Sequence, residues 1–329
     1  MIISRTPFRI SFLGGGTDYP DWYRSNGGAV LSVTINKYSY VTCRFLPPFF
    51  DYKYLIRYFQ REETNSIAEI QHPSVRECLS FMEINDCIEI VHHADLPARS
   101  GLGSSSTFTV GLLHSLSALK NKMANKRELA INAIHVEQNI IKENVGSQDQ
   151  TAAAFGGFNQ INFGGINEIE VRQLIIESDR YKEFENSLML FFTGFSRTAS
   201  EIACEQIKEI PNHTSDLQSM KLMVDEGIDI LTGNTPLKEF GFLLDRQWKI
   251  KRKFSTKITN TMIDNIYSTG IKSGALGGKL LGAGGGGFML FFVPPEFQSQ
   301  VKSALSNLLY VPCRFDTLGG QIGYAARED

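Results

Sequence analysis

The apolar positions of this chain change period repeatedly, and each change marks an element. Residues 2–13 form an extended, apolar-rich run that ends in Gly14-Gly15-Gly16 and reads as a strand. Residues 29–46 are rich in β-branched and aromatic side chains and predict paired strands. Residues 47–64 have no clean period and predict irregular structure, with a helix following over 72–82. Cys87 to Val91 alternates again. A loop of small residues, Pro97-Ala-Arg-Ser-Gly-Leu-Gly-Ser-Ser-Ser106, then leads into a helix with Phe108, Leu112, Leu113, Leu116 and Leu119 at helical spacing. Asn125-Lys-Arg-Glu128 resembles a capping box and opens another helix that ends near Gly146.

Strands and turns are expected over 159–176, and the charged stretch 177–185 predicts a boundary. Beyond it come a strand over 187–193, helices over 198–210, 215–232, 236–253 and 256–269, and a buried strand over 288–293. A helix over 295–309 and short strands near Val311 and Gly323 follow. With 329 residues, the expectation is two domains, 1–180 and 181–329.

Composition narrows the function class. A net charge of −2 gives no basic field for nucleic acid. No apolar run reaches the roughly 18 residues of a membrane helix, and the opening residues lack the pattern of a secretory leader. Five widely spaced cysteines without a Cys-x-x-Cys read as reduced thiols, so a cytoplasmic location is expected. Glycines concentrate in three clusters, and the chemistry is sought there.

The loop Arg99, Ser100, Gly101, Leu102, Gly103, Ser104, Ser105, Ser106 joins glycines to a helix start, where unpaired N–H groups and the helix dipole favour an anion. It fits neither the P-loop nor the dinucleotide fingerprint, and it reads as a phosphate cradle or as a serine-rich cap. The run Gly282-Ala283-Gly284-Gly285-Gly286-Gly287 precedes a strand, so it suits close backbone contact with a ligand or another loop. Glu137 and Asp149 are a candidate acidic pair, one to ligate a cation and one to accept a hydroxyl proton; an N-cap role for Asp149 and a solvated face for Glu137 stay open. Arg9 and Asp18 flank the first glycine cluster, where Asp18 can hydrogen-bond sugar hydroxyls, although Thr17-Asp18-Tyr-Pro is also turn chemistry.

In this order, the four pieces resemble the galactokinase, homoserine kinase, mevalonate kinase and phosphomevalonate kinase (GHMP) superfamily. They are Pro7-Phe-Arg9 to Tyr19, Pro97 to Ser105, Gly146 to Gln150 and Lys279 to Gly287. The resemblance implies an α+β fold of two domains, the first like ribosomal protein S5 domain 2 and the second ferredoxin-like, with ATP between them. It implies that the serine loop wraps the ATP phosphates and that Ser105 and Glu137 hold Mg²⁺. It further implies that Asp149 acts as base, that Arg9 beside it stabilises charge, and that the Gly282–Gly287 loop supports the site.

Galactokinases carry Glu and His where this chain has Gly15 and Gly16, which argues against galactose. The Gly-Gly-Gly-Thr-Asp version, with Thr193 to Arg197 and Trp248 to Arg252, is similar to bacterial D-glycero-D-manno-heptose 7-phosphate kinases. That resemblance implies phosphorylation of the anomeric C1 hydroxyl, toward nucleotide-activated heptose for surface polysaccharide. The expected acceptor site is then Gly15, Gly16, Thr17 and Asp18, with Arg197, Lys249 and Arg252 as candidate cations for a phosphate; solvated helix charge is the competing reading for those three. The partners expected are ATP and a small sugar phosphate, with no nucleic acid or membrane, in a monomer or homodimer. The alternatives are a kinase for another sugar (fucose-like or a deoxyheptose) and a catalytically silent ATP- and sugar-binding sensor.

Overall fold

The computed structural model describes residues 1–165, 168–194 and 199–326. Its strands in chain order are β1 (Ile2–Leu13), β2 (Gly28–Phe45), β3 (Tyr54–Arg57), β4 (Arg61–Thr64), β5 (Ile88–Ala94), β6 (Phe158–Phe163) and β7 (Ile169–Gln173). They continue as β8 (Leu188–Gly194), β9 (Gly277–Leu280), β10 (Gly287–Phe292), β11 (Leu309–Tyr310), β12 (Phe315–Asp316) and β13 (Gln321–Ala325). Among the described residues they form a nine-stranded sheet, with central order β13-β1-β2-β5-β3-β4, and an antiparallel four-stranded sheet of order β11-β8-β10-β9. Helices pack on both, so the architecture is α+β as expected.

The paired strands expected over 29–46 are one strand of 18 residues. No turn-forming pair interrupts it. Instead the register against β1 jumps from Pro7↔Tyr38 to Arg9↔Thr34, a bulge that bends β2. One half then pairs with β6 and the other with β5. Residues 47–64, expected as irregular, contain the β3–β4 hairpin. Tyr54, Leu55 and Ile56 are all buried, so the segment shows no alternation to read. The Gly-Gly-Lys-Leu of β9 carries no strand signal, because two glycines have little strand propensity.

The expected boundary stretch is itself a helix, Ser178–Asn186, capped by the Glu177 carboxylate, which accepts from the N–H groups of Asp179 and Arg180 at 3.1 and 3.0 Å. Phe315 pairs with Ile35, and β13 runs antiparallel to β1, so residues 315–325 return to the first sheet. The final helix is shorter than expected, Gln298–Ala304.

The two halves share a core rather than merely touching. Phe12 of β1 packs against Phe158 and Phe184, and against Phe240 from the Lys238–Lys251 helix, with ring centroids 5.4–5.6 Å apart. At such separations tilted and edge-on aromatic pairs add to the burial of each ring. Polar side chains from the second half grip the end of β1 as well. Gln247 donates to the Phe12 carbonyl at 2.9 Å and accepts from the Gly14 N–H at 3.0 Å. Lys279 donates to the carbonyls of Ser11 and Phe12 at 2.9 and 2.8 Å. The end of β1, where the first glycine cluster begins, is thereby fixed against the second half, at the strand that leads into its glycine loop.

Candidate active site

The serine loop turns sharply because Arg99, Gly101 and Gly103 all have positive φ. Its hydroxyls brace the turn: Ser100 donates to the Pro97 carbonyl at 2.7 Å, and the Ser104 hydroxyl accepts from the Arg99 N–H at 3.0 Å. The helix Ser104–Leu119 starts immediately after Gly103, so the N–H groups of its first turn lack intrahelical partners. Ser104, Ser105 and Ser106 line a cavity of about 630 Å³ there. Ser100 and Leu102 are fully buried beneath the loop and do not line it.

The C-terminal glycine loop abuts this loop backbone to backbone. A Cβ on Gly282 would lie 2.4 Å from the Gly101 Cα, and one on Gly287 would lie 2.3 Å from the Ser100 carbonyl oxygen. Contact with another loop is therefore the role of Gly282 and Gly287. Gly284 packs against Ile258, and Gly285 donates its N–H to the Ile258 carbonyl at 2.9 Å. Gly282 and Ala283 also line the cavity.

Arg9 and Asp149, 140 positions apart in sequence, meet inside the cavity. Arg9 donates through Nε to Asp149 Oδ1 at 2.8 Å and holds the same oxygen with a second nitrogen at 2.7 Å. Its third nitrogen donates to the Gly101 carbonyl at 2.9 Å, so one guanidinium ties the acid to the serine loop. Asp149 lies in the first turn of the helix Gln148–Phe155, whose N-cap residue is Ser147; its carboxylate serves Arg9 and is not the N-cap.

Asp18 is buried beside them. Its carboxylate accepts from the Gly16 N–H at 2.9 Å and from the Gln148 N–H at 3.4 Å. Burial raises its pKa, the Gly16 hydrogen bond opposes this, and the Asp149 charge adds to it. Gly146 permits the approach, since a Cβ there would lie 1.8 Å from Asp18 Oδ2. Gly15 and Gly16 line the cavity. A side chain at Gly15 would meet nothing nearer than 3.6 Å, so its absence leaves open space.

Not all of the expected site residues meet at the cavity. Thr17 does not line the cavity; its buried hydroxyl lies 2.8 and 2.9 Å from the carbonyls of Gly14 and Ala29 and accepts from the Ala29 N–H. Lys249 is exposed and pairs with Asp245 at 2.6 Å, and Arg252 pairs with Asp264 at 2.9 Å; neither lines the cavity. Arg197 lies outside the described residues. Ser105 lines the cavity, but the hydroxyl that reaches Glu137 is that of Ser106, which donates to it at 2.7 Å. The two serines are about 100° apart around the helix, so Ser106 reaches Glu137 directly while Ser105 opens on the cavity beside it.

Glu137 is not on a solvated face. The segment His135–Ile140 winds with wider, π-type turns, and Glu137 within it is fully buried behind Ser106. Gln150 donates to the same carboxylate oxygen as Ser106, while Oε1 has no hydrogen-bond partner. Burial pushes the pKa of Glu137 up to about 7, against the nearby Thr109 hydroxyl, which itself donates to the Ser105 carbonyl at 3.2 Å, and the hydrogen bonds of Ser106 and Gln150. A buried carboxylate with one unpartnered oxygen is suited to a cation.

Lys251 is the cavity residue that the spacing arguments passed over. It lines the cavity, is 7% exposed, and donates to the Gly282 carbonyl. A signal was present: Phe240, Leu244, Gln247, Trp248 and Lys251 share the buried stripe of one helix, so Lys251 falls on the inward face. Gln148, Glu143 and Gln206 also line the cavity without having been singled out.

Known proteins resemble this chain in sequence and in fold. The family descriptions "GHMP kinases N terminal domain" and "GHMP kinases C terminal" match residues 73–157 and 234–311. The D-glycero-alpha-D-manno-heptose 7-phosphate kinase of Campylobacter jejuni is 30% identical over 322 residues, covering 92% of this chain and 93% of that one. The L-fucokinase/L-fucose-1-P guanylyltransferase of Bacteroides fragilis is 24% identical over 92% of this chain, which spans only 35% of that longer protein. The crystal structure of a D-glycero-D-manno-heptose 1-phosphate kinase from Bacteroides thetaiotaomicron shares the fold, with a TM-score of 0.81, 23% identity and coverage of 99% and 100% of the two chains. With both terminal regions of the family matched and a relative of that identity aligned along nearly its whole length, the chain belongs to the GHMP kinase family.

Proposed function

We propose that this chain transfers the γ-phosphoryl group of ATP to the anomeric C1 hydroxyl of D-glycero-D-manno-heptose 7-phosphate, giving the 1,7-bisphosphate. The observation that carries the kinase reading is the Arg9–Asp149 pair tied to the Gly101 carbonyl at the mouth of the serine loop. The Campylobacter jejuni relative supports the choice of acceptor. A second reading, a kinase for a fucose-like sugar, draws on the likeness to the Bacteroides fragilis enzyme.

The chemistry follows from the residues. Asp149 accepts the proton of the acceptor hydroxyl as its oxygen forms the new bond to phosphorus. The bond from phosphorus to the bridging oxygen breaks, and its electron pair leaves on ADP. Arg9 orients the Asp149 carboxylate and neutralises charge beside it. The first-turn N–H groups after Gly103 and the helix dipole receive phosphate oxygens. Asp18 accepts from a sugar hydroxyl in the space left by Gly15 and Gly16.

Glu137, with the Ser105 and Ser106 hydroxyls, would hold magnesium, and the unpartnered Oε1 of Glu137 fits that role. Bound magnesium supplies charge neutralisation on the phosphates and keeps most of its shell as water and phosphate oxygen, so few protein ligands suffice. No cluster of three or more His, Cys, Asp or Glu that could hold a metal occurs among the described residues. No helix among them is long and apolar enough to cross a membrane.

The acceptor is tested by coupled ADP release over a panel of heptose 7-phosphate, heptose 1-phosphate, fucose and galactose. The expected result is the highest kcat/KM with heptose 7-phosphate and negligible turnover of galactose. Preference for fucose would replace the heptose reading with the second one, and a flat response to every sugar would sink both.

A further inference from the structure

Lys249, Lys251 and Arg252 lie within four residues of one helix, yet only Lys251 enters the cavity. An ammonium ion buried in protein is unfavourable unless its surroundings compensate it. The carboxylates of Asp18 and Asp149 do so, while Arg9 and Lys279 oppose it. Two of these cations are already committed: Arg9 to Asp149 and Gly101, and Lys279 to the carbonyls of Ser11 and Phe12. Lys251 has one hydrogen bond, to the Gly282 carbonyl, out of the three that an ammonium can donate.

The position of that bond indicates what the remaining donors serve. Gly282 packs against Gly101, whose carbonyl accepts from Arg9, which in turn holds Asp149. Lys251 is thus joined by one continuous series of contacts to the base and the phosphate cradle. We propose that Lys251 is a second cation for the phosphoryl group in transit, supplied by the C-terminal half and acting opposite Arg9 of the N-terminal half. This rests on the kinase reading above. As the acceptor oxygen bonds to phosphorus and the bond to the ADP oxygen breaks, charge builds on the equatorial oxygens, and a preorganised ammonium inside the cavity stabilises that charge. Because the two cations come from different halves, transfer requires the halves to stay docked.

The experiment compares Lys251→Met, Lys251→Arg and, as a control on the exposed side of the helix terminus, Lys253→Met. With the best acceptor of the panel, Lys251→Met is expected to lower kcat by about 10²–10³-fold, the scale for loss of one transition-state donor, with little change in the acceptor KM. Lys251→Arg recovers part of the loss, and Lys253→Met matches wild type.

A pH profile separates this role from a structural one. Burial, with Arg9, lowers the pKa of Lys251 to about 8, while Asp18 and Asp149 raise it. Other charged groups on the cavity are Lys279, Arg99, Glu143 and Glu201. As pH rises past about 8, Lys251 loses its proton and kcat falls; that limb is absent in Lys251→Arg because guanidinium stays protonated.

A binding readout completes the test. By calorimetry, Lys251→Met is expected to weaken the complex of magnesium, ADP and fluoroaluminate at least tenfold while leaving ADP affinity within twofold. If the wild type transfers phosphoryl and Lys251→Met retains both kcat and fluoroaluminate affinity, this inference falls and the kinase reading stands. If the wild type binds no nucleotide, both fall.

Discussion

Asp149→Asn is expected to lower kcat by about 10²–10⁴-fold, the range for loss of a positioned general base. Asparagine has nearly the same shape as aspartate, so the helix start and the packing around Ser147 are kept. It has no carboxylate to take the acceptor proton, and it leaves the Arg9 guanidinium without its counter-charge. The nucleotide KM should move little, because the phosphate cradle is built from the serine loop. Single-turnover transfer from labelled ATP measures this directly, with circular dichroism as the check on folding. A folded variant that retains wild-type turnover would remove Asp149 from the chemistry.

Gly101→Ala is the second large expected effect. Gly101 has φ of +84°, and its Cβ would lie 2.3 Å from the Leu281 carbonyl oxygen and 2.9 Å from the carbon. The obstructing atoms are backbone, so no rotamer change relieves the overlap. The left-handed conformation alone costs an alanine roughly 1–2 kcal/mol, and separating the two loops adds to it. We expect a loss of about 2–4 kcal/mol in urea unfolding. ATP affinity should fall at least tenfold, because the Gly101 carbonyl also anchors Arg9. An unchanged unfolding midpoint together with unchanged ATP affinity would show that the loops do not meet as described.

Much of this site could be read from local sequence. The serine loop announced itself because small residues between a strand and a helix leave room for a backbone arch with exposed N–H groups. The C-terminal glycine run announced itself for the same reason, although its contact with Gly101 and Ser100 is a matter of tertiary packing. Long-range pairings were beyond spacing arguments. Nothing local joins Arg9 to Asp149, and the family resemblance supplied that link.

Where expectation and structure differ, the causes are physical. Ser105 and Ser106 are indistinguishable by composition, and the choice between them depends on helix phase and on the π-type turns around Glu137. Lys249 and Arg252 carry charge but lie off the apolar stripe of their helix, and burial follows that stripe to Lys251. The return of residues 315–325 to the first sheet was hidden because the pairing partners of a strand are not written in its own sequence. Residues 29–46 suggest paired strands because their richness in β-branched and aromatic residues marks strand without marking where it bends, and the bulge of β2 lies within one continuous strand.

The most direct test of the central claim is the identity of the product. The protein is incubated with ATP, magnesium and D-glycero-D-manno-heptose 7-phosphate and followed by ³¹P NMR. The account predicts one new phosphoester coupled to the anomeric proton for each ADP formed, with the original ester unchanged. ADP accompanied only by free orthophosphate, or a new ester on a hydroxyl other than C1, would contradict it.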